Sequence, residues 1–391
     1  MSGGPAVTAV PRLAAVGAAE WDACAGAANP FLAHAFLQAL EESGSVSAEA
    51  GWQPQHVLVR SGDGRLLACA PAYLKSHSYG EYVFDHGWAE AWQRAGGRYY
   101  PKLQLSVPFT PATGPRLLVR ADLLPDDPTP DALRSLLIDA VEAICGRFDL
   151  SSAHATFLEE ADRAAFERRG WLLRQGQQFH WENRGYATFD DFLGSLASRK
   201  RKMIRKERAQ ALASGIRLHL LSGADLKPVH WDAFYAFYTD TSDRKWGVPY
   251  LTRGFFELIG ERYADRVVLV MAEKDGDWVA GALNFQGSDT LYGRNWGCRG
   301  EYKFLHFEAC YYAAIDHAIA RGLKRVEAGA QGTHKIQRGY LPVATWSAHH
   351  IPDPGFRRAV ADFVEREKRA VAREMAALAE YAPFRQGEAE A

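Results

Sequence analysis

Two segments of the chain share one pattern, in which an Asp-Gly pair separates two apolar runs. They are VLVRSGDGRLLACAPAYL at residues 57–74 and VLVMAEKDGDWVAGALNFQ at residues 268–286. Asp-Gly between apolar runs is typical of a β-hairpin, because glycine adopts the positive φ that such turns require. The copies lie about 210 residues apart, which predicts a chain made of two related halves.

The segments that follow each hairpin predict the same order of elements. In the second half, SDTLYGRNWG at 288–297 predicts a third strand, 304–322 a helix that a glycine ends, and KRVEAG at 324–329 a further strand. In the first half, 131–146 predicts the helix and 151–158 the strand. Hairpin, third strand, helix and strand describe a mixed sheet. The expected fold class is therefore α/β, with two tandem mixed sheets and flanking helices.

Three further helices are predicted from apolar spacing. The first covers 189–215 and ends at a glycine, the second covers 232–247, and the last, 354–381, has a single apolar face. We place the two halves at 1–187 and 188–391. The helices 189–215 and 354–381 belong to the second half in this division.

Positive charge is concentrated at residues 198–208, SRKRKMIRKER. The chain has a formal net charge of −1, and this run alone contributes +6, so the other residues sum to −7. A protein coated by nucleic acid is usually basic over a whole face. The concentration of charge therefore predicts a local anion site.

Three interpretations of the basic run stay open. It is a solvated helix face, a clamp for the phosphates of CoA, tRNA or a lipid-linked nucleotide, or a contact with an anionic membrane. Sequence-specific nucleic-acid binding is disfavoured, because no nucleic-acid-binding motif accompanies the run. The candidate binding residues of the run are Arg199, Lys200, Arg201, Lys202 and Arg205.

The five cysteines are widely spaced and include no CxxC pair. This favours free thiols in a reducing compartment, and no metal site is expected. The N-terminal residues lack the basic region and long apolar core of a signal peptide. No stretch approaches the roughly 18 apolar residues of a spanning helix. We expect a cytoplasmic protein, with peripheral contact with the inner membrane as the alternative to a fully soluble state.

Four stretches carry a resemblance to a known family: 76–92, 99–118, 178–208 and 327–350. Over nearly the whole chain they resemble the FemAB-like family of predicted N-acyltransferases. The predicted order of elements also resembles the GNAT acyltransferase fold, and its duplication resembles the Fem-type peptidoglycan aminoacyltransferases. The resemblance extends to the GNAT-type bacterial ceramide synthases.

The resemblance implies two tandem GNAT-like halves and an N-acyltransferase with acyl-CoA as co-substrate and no permanently bound cofactor. The leading hypothesis is transfer of a fatty acyl group to the amine of a sphingoid long-chain base. One alternative is Fem-like aminoacyl transfer from charged tRNA to a peptidoglycan precursor. The other is a non-catalytic module that binds a lipid or a muropeptide. Expected partners are the donor, an amine acceptor that is a lipid, and an anionic membrane surface.

Acyl transfer to an amine needs a base, donors for the developing oxyanion and positive partners for the donor's phosphates. In GNAT enzymes a glycine-rich loop that opens the helix after the third core strand holds the pyrophosphate. The corresponding loop here, GCRGEYKFLHFE at 297–308, lacks that glycine spacing. We therefore expect the donor to be held differently, or to differ from simple acetyl-CoA.

The segment GAQGTHKIQRGY at 329–340 follows a predicted strand, and strand ends are where open sheets place ligands. His334 is the first candidate for the general base, because imidazole titrates near neutral pH. Gln331, Lys335 and Arg338 are candidates for binding phosphate or polarising a carbonyl. The alternative is a structural turn with solvated side chains.

Two carboxylates, Glu327 and Glu308, are further candidates for the base or for orienting a histidine, although Glu308 would also suit a helix start. Tyr292, Arg294 and Asn295 in the third strand are placed to face the acyl thioester. We interpret His180 as a structural histidine. Glu81 and Asp85 follow an aromatic strand in the first half, and we assign them no role in catalysis.

Overall fold

Residues 4–213, 215–245 and 247–385 are described by the computed structural model. Ser214 and Trp246, which the predicted helices 189–215 and 232–247 include, lie outside the described residues. The same holds for residues 1–3 and 386–391, at the outer ends of the two predicted halves.

The chain forms two compact units, each built from two segments. The first comprises Met1–Gly176 and Ala344–Ala372, and the second comprises Gln177–Val343 and Arg373–Ala391. The predicted halves, in contrast, are continuous in the chain. The difference arises because an apolar pattern predicts a strand or helix but not the unit to which a late segment returns.

The first unit contains eight complete strands and five complete helices among the described residues. The strands are β1 (Ala6–Val10), β2 (Trp52–Pro54), β3 (His56–Arg60), β4 (Leu66–Ala70), β5 (Ala72–Lys75), β6 (Lys102–Leu105), β7 (Leu118–Val119) and β8 (Ala153–Thr156). The helices are α1 (Ala18–Ala25), α2 (His34–Glu42), α3 (His86–Arg94), α4 (Pro130–Arg147) and α5 (Glu160–Arg168).

Strand β9 (Leu172–Glu182) carries the chain into the second unit. The next elements are α6 (Phe189–Ser195), α7 (Ser198–Leu212), β10 (Arg217–Leu221), α8 (Pro228–Lys245), α9 (Arg253–Arg262), β11 (Val267–Lys274), β12 (Asp277–Gln286) and β13 (Thr290–Cys298). They are followed by α10 (Leu305–Phe307), a π-helical turn (Glu308–Tyr312), α11 (Ala313–Ala320), β14 (Arg325–Glu327) and a 3₁₀ turn (Thr333–Arg338). The last elements, β15 (Leu341–His350) and α12 (Pro354–Ala379), each contain residues of both units.

Both predicted hairpins are confirmed. In the first unit β3 pairs antiparallel with β4, and in the second β11 pairs antiparallel with β12. The second turn places Asp275 and Gly276 at φ values of 53° and 92°. These values are the positive dihedrals that an Asp-Gly hairpin turn uses.

The strands of each unit form mixed arrangements. In the first unit β6 lies between antiparallel β5 and parallel β8, and β8 pairs antiparallel with β15. In the second unit β10 to β13 pair antiparallel in chain order, and β13 then pairs parallel with β14. Strand β9 pairs antiparallel with β14. Parallel neighbours joined by an intervening helix are the α/β feature that the sequence predicts.

The predicted helix 189–215 is two helices, α6 and α7, in the structure. Between them, Leu196 forms an isolated antiparallel bridge with Phe384, and the Ala197 amide donates to the Pro383 carbonyl at 2.8 Å. The backbone groups that would continue one helix are thus bonded to a distant segment of the same unit. A tertiary partner of this kind is invisible to a local apolar pattern.

The first unit buries a group of charged side chains beside β5 and β6. Lys102 Nζ donates to Ser78 Oγ at 2.9 Å, to Glu81 Oε2 at 2.7 Å and to the Asp85 carboxylate. Lys75 lies opposite Lys102 in the strand pair and donates to the Tyr79 carbonyl at 3.1 Å. Desolvation lowers the pKa of Lys75 to about 6 and raises that of Glu81 to about 7.

Candidate active site

The second unit contains a pair of parallel strands that separate. Strand β13 pairs with β14 only from Thr290 to Tyr292 in the described chain, and then continues to Cys298. Strand β14 ends at Glu327, and the chain turns at Gly329 with a φ of 74°. The two strands therefore diverge at their carboxyl ends, where open α/β sheets bind ligands.

An irregularity in β13 lies just beyond the point of separation. Leu283 of β12 pairs with Asn295, whereas Asn284 pairs with Gly293, so Arg294 is an extra residue on β13. A bulge of this kind bends the strand and re-aims its neighbouring groups. Arg294 and Asn295, which the sequence suggests for thioester contact, are half-buried here.

Three buried polar side chains form a row at the last paired position. Tyr292, Glu327 and His180 lie directly across from one another on β13, β14 and β9. Glu327 Oε2 lies 3.9 Å from His180 Nε2. Burial lowers the pKa of His180 to about 3, with smaller contributions from Arg325 and Lys335. His180 is therefore neutral and sits beside a predicted catalytic carboxylate, which its sequence position alone does not reveal.

His334 lies on the 3₁₀ turn after β14. Its Nε2 is 3.1 Å from the Tyr311 hydroxyl, and its ring also contacts that of Phe307. Desolvation lowers the pKa of His334, and the positive charges of Arg338 and Lys335 lower it further. The imidazole is thus neutral at neutral pH and able to accept a proton.

Glycine at position 332 makes room for this ring. Gly332 has a φ of 96°, and a Cβ there would lie 2.4 Å from Cε1 of His334. A side chain would therefore be strained by its backbone and would also displace the candidate base.

Lys335 and Arg338 are the candidates for binding phosphate or polarising a carbonyl. Both are buried. Lys335 Nζ donates to the Ala328 carbonyl and, at 3.3 Å, to the Gly329 carbonyl. Desolvation lowers its pKa to about 8. Sequence shows the positive charge of these residues but not the protein acceptors that surround them. Gln331 is exposed at the edge of the same loop.

Arg338 connects the turn to helix α7. Its Nη1 donates to the His334 carbonyl at 2.7 Å, and its Nη2 donates to both Glu207 carboxylate oxygens at 2.8 and 2.9 Å. Its guanidinium carbon lies 3.5 Å from the centre of the Phe307 ring. Glu207 also accepts a hydrogen bond from the Tyr312 hydroxyl.

Glu308 belongs to a different group of side chains. It is buried, and Arg208 Nη2 donates to its Oε1 at 2.9 Å. Arg208 also reaches Asp316 at 2.6 Å. Glu308 and Arg208 line a groove of about 780 Å³. The apolar side chains of that groove include Leu212, Ile216, Leu218 and Leu220. The structure thus pairs Glu308 with Arg208.

The basic run lies on α7 with most of its charges outward. Arg199, Lys202 and Arg205 are exposed, and Lys200 and Arg201 are half-buried. Arg205 pairs with Asp190 at 2.9 Å in an exposed contact. The helix is held by its buried residues Ile204, Glu207 and Ala211.

Across the described residues 4–213, 215–245 and 247–385 there is no group of three or more side chains placed to hold a metal ion. In the same part of the chain, no helix is long and apolar enough to cross a bilayer.

Two units of mixed strands, the second with parallel strands that separate, define a tandem GNAT-like fold of the transferase type. The chain belongs to the FemAB-like family, which is described as peptidoglycan biosynthesis/recognition and whose model matches residues 12–386. The predicted family and the predicted fold class, two tandem GNAT-like mixed sheets with flanking helices, are confirmed. The family and the fold also support the predicted transferase class of enzyme.

Solved structures of distant sequence share this fold. FemX has a TM-score of 0.51 at 11% identity, over 82% of this chain and 93% of its own. L-PGS from Bacillus licheniformis has a TM-score of 0.50 at 10% identity, over 83% of this chain and 95% of its own. The C-terminal DUF2156 domain of an Agrobacterium fabrum protein has a TM-score of 0.52 at 10% identity, over 90% of this chain and 96% of its own. Such identities show a common fold alone. No curated protein sequence matches this chain significantly.

Proposed function

We propose that the protein is an N-acyltransferase whose reaction takes place where β13 and β14 separate. The observation that carries this proposal is the short parallel pairing of Thr290–Tyr292 with Arg325–Glu327. Beyond it, β13 continues without β14 beside it. Buried Tyr292, Glu327 and His180 lie at the last paired position, and the turn that carries the neutral His334 follows β14 in the chain. These are the groups that proton removal and acyl transfer require.

His334 is the proposed general base. With Nε2–H donating to the Tyr311 hydroxyl oxygen, Nδ1 keeps a lone pair and accepts the proton of the acceptor's ammonium group. The amine nitrogen then attacks the thioester carbonyl carbon, the C–S bond breaks as the amide forms, and the leaving thiolate takes the second proton that the nitrogen loses. Amide N–H groups of β13 beyond Tyr292 are the proposed donors to the oxyanion. Glu327 is the second candidate base.

The proposed substrates are a fatty acyl-CoA and the amine of a sphingoid long-chain base, which give a ceramide-type amide. The resemblance to the bacterial ceramide synthases supports this choice. The apolar wall of the groove, which includes Leu212, Ile216 and Leu220, would accommodate an alkyl chain. The exposed cations Arg199, Lys202 and Arg205 suit the phosphates of CoA or an anionic membrane.

A second candidate function is aminoacyl transfer from charged tRNA to a peptidoglycan precursor. It is favoured by the family description, which names peptidoglycan, and by the fold shared with FemX. The chemistry at the amine would be the same, because an ester replaces the thioester and a ribose hydroxyl replaces the thiol as leaving group. Residues of the basic run would then contact the tRNA backbone.

Mass spectrometry of the products distinguishes these candidates. Purified protein would be incubated with palmitoyl-CoA or with charged tRNA, and with sphinganine, 3-oxosphinganine or an amine-bearing muropeptide. A CoA-dependent amide of a long-chain base supports the first function. A product that ribonuclease abolishes supports the second. Binding of an acceptor with no product from either donor would instead indicate a non-catalytic module.

Two variants and a control test the assignment of the site. We expect His334→Ala and Glu327→Gln to lower turnover, the former by at least about a hundredfold, the lower range for a general base. Gln337→Ala is the matched control, because Gln337 is exposed on the same turn and has no assigned role. Wild-type turnover in both site variants would show that the reaction occurs elsewhere.

A further inference from the structure

The only acidic residue of the basic run is also the most deeply placed of its charged side chains. Glu207 is buried on α7, whereas Arg199, Lys202 and Arg205 on the same helix are exposed. Its two oxygens accept hydrogen bonds from Arg338 at 2.8 and 2.9 Å, and the Tyr312 hydroxyl donates to it as well. The position of a lone acid inside a basic segment is thus explained by one partner 131 residues away in the sequence.

Arg338 uses its two terminal nitrogens for different purposes. Nη2 holds Glu207, and Nη1 donates to the main-chain carbonyl of His334 at 2.7 Å. The guanidinium also stacks on Phe307 at 3.5 Å, next to the ring of His334. Because guanidinium is planar and rigid, fixing one nitrogen on the carboxylate fixes the direction of the other.

We propose that Glu207 is a positioning residue for His334. Through Arg338 it holds the turn Thr333–Arg338 against Phe307 and Tyr311, so that His334 Nε2 meets the Tyr311 hydroxyl. The inference rests on the proposed function only for the role of His334 as base, since the contacts from Glu207 to Arg338 and on to the turn are geometric. It gives the basic helix a role at the site that is separate from binding phosphate.

Simple stabilisation does not account for this pair. Two charges that leave water lose much of their hydration, and a pair of apolar side chains of similar volume is often at least as stable. The contacts add direction instead, because both Glu207 oxygens hold Arg338 Nη2 while Nη1 is left to reach the His334 carbonyl. The value of Glu207 therefore lies in where it places Arg338, and hence His334.

A double-variant comparison separates positioning from stabilisation. Glu207→Gln and Arg338→Gln each leave a buried charge without its counter-ion, so both should lower the melting temperature, whereas the double variant leaves none and should recover much of it. All three variants lack the contacts that run from Glu207 through Arg338 to the His334 carbonyl. We therefore expect kcat to fall about a hundredfold in all three. Ala209→Gln, on the exposed face of the same helix, is the matched control.

If kcat recovers in the double variant together with the melting temperature, the pair acts through stability alone and the proposal is overturned. Unchanged kcat in folded single variants would overturn it too.

The ¹⁵N resonances of the His334 ring give a readout that does not depend on turnover. We expect the Nε2 resonance in Glu207→Gln to lose the shift caused by Tyr311, while Ala209→Gln retains it. An unchanged resonance in Glu207→Gln would contradict the positioning role even if no substrate had been found. Full turnover in His334→Ala would refute the proposed base but leave this geometric test intact.

Discussion

Arg208 holds Glu308 through two nitrogens, with Nε 3.1 Å and Nη2 2.9 Å from the same carboxylate oxygen. The carboxylate is buried, and Arg208 is 27% exposed. Desolvation raises the pKa of Glu308, while Arg208 opposes the shift. This arrangement suits a structural ion pair, although the sequence position of Glu308 also suggested a catalytic carboxylate.

We expect Glu308→Gln to change the free energy of unfolding by no more than about 1 kcal/mol, measured by urea denaturation. The net rise in the pKa of Glu308 means that burial costs its ionised form more than Arg208 returns, and Arg208 keeps Asp316 as a partner at 2.6 Å. Asp316→Asn is the control, since Asp316 is 40% exposed and its change leaves the Glu308–Arg208 contact in place. A loss of several kcal/mol in Glu308→Gln alone would show that the pair is a net source of stability. A large loss of kcat in Glu308→Gln with unchanged stability would support its catalytic assignment.

The pH dependence of turnover should distinguish His334 from Lys335 as the base. A base must be unprotonated to act, so activity rises as pH increases through its pKa. The pKa of His334 lies below its ordinary value of 6.5, whereas that of Lys335 is about 8. We expect the acid limb of kcat, at saturating acceptor, to be centred below pH 6.5. A limb near pH 8 that disappears in Lys335→Met would identify the lysine instead.

The lowered pKa of Lys75 predicts that the free energy of unfolding rises with pH in the alkaline range. Its pKa is about 6 in the folded protein, against an ordinary value of 10.5. Between these values the unfolded chain binds one more proton than the folded chain, so stability rises with pH, by up to about 1.4 kcal/mol per pH unit. Lys75→Met should remove this slope.

Urea denaturation between pH 7.5 and 9 is suited to the test, because this window lies above the pKa of about 7 of the neighbouring Glu81. Lys324→Met is the control, since Lys324 is 79% exposed. Parallel slopes in the wild type and Lys75→Met would show that Lys75 stays protonated in the fold.

The exposed cations of α7 should affect donor binding more than chemistry. We expect the combined substitutions Arg199→Gln, Lys202→Gln and Arg205→Gln to raise KM for acyl-CoA about tenfold and to leave kcat unchanged. The reason is that charges outside the reacting centre stabilise ground and transition states alike. The difference should shrink with added salt, because exposed charges are screened. Stability should change little, since the Arg205–Asp190 pair is exposed.

The matched control replaces three exposed arginines of α12, Arg358, Arg366 and Arg369, by glutamine. It makes the same change in net charge far from the basic run in sequence. Equal KM values in the two triple variants would identify the run as a solvated helix face. A loss of activity only on anionic vesicles would indicate membrane contact.

Sequence by itself determined the features that depend on neighbouring residues. The Asp-Gly pair predicts the β11–β12 turn, because a positive φ is a local requirement met by residues 275 and 276. Gly322, with a φ of 65°, follows α11 as predicted for the same reason. The predicted helix 131–146 and strand 151–158 of the first half, and the predicted strands 288–297 and 324–329 of the second, also follow from local patterns and correspond to α4, β8, β13 and β14.

Tertiary structure alone decided which charged groups meet. Glu207 pairs with Arg338 across 131 residues, and His180 lies beside Glu327 because β9 and β14 are adjacent. A sequence shows that each group needs a partner when buried, but it shows neither which groups are buried nor which partner the fold supplies. For that reason His334 was recognisable from its strand-terminal loop, whereas Tyr311, His180 and Glu207 became visible only once distant strands and helices packed together.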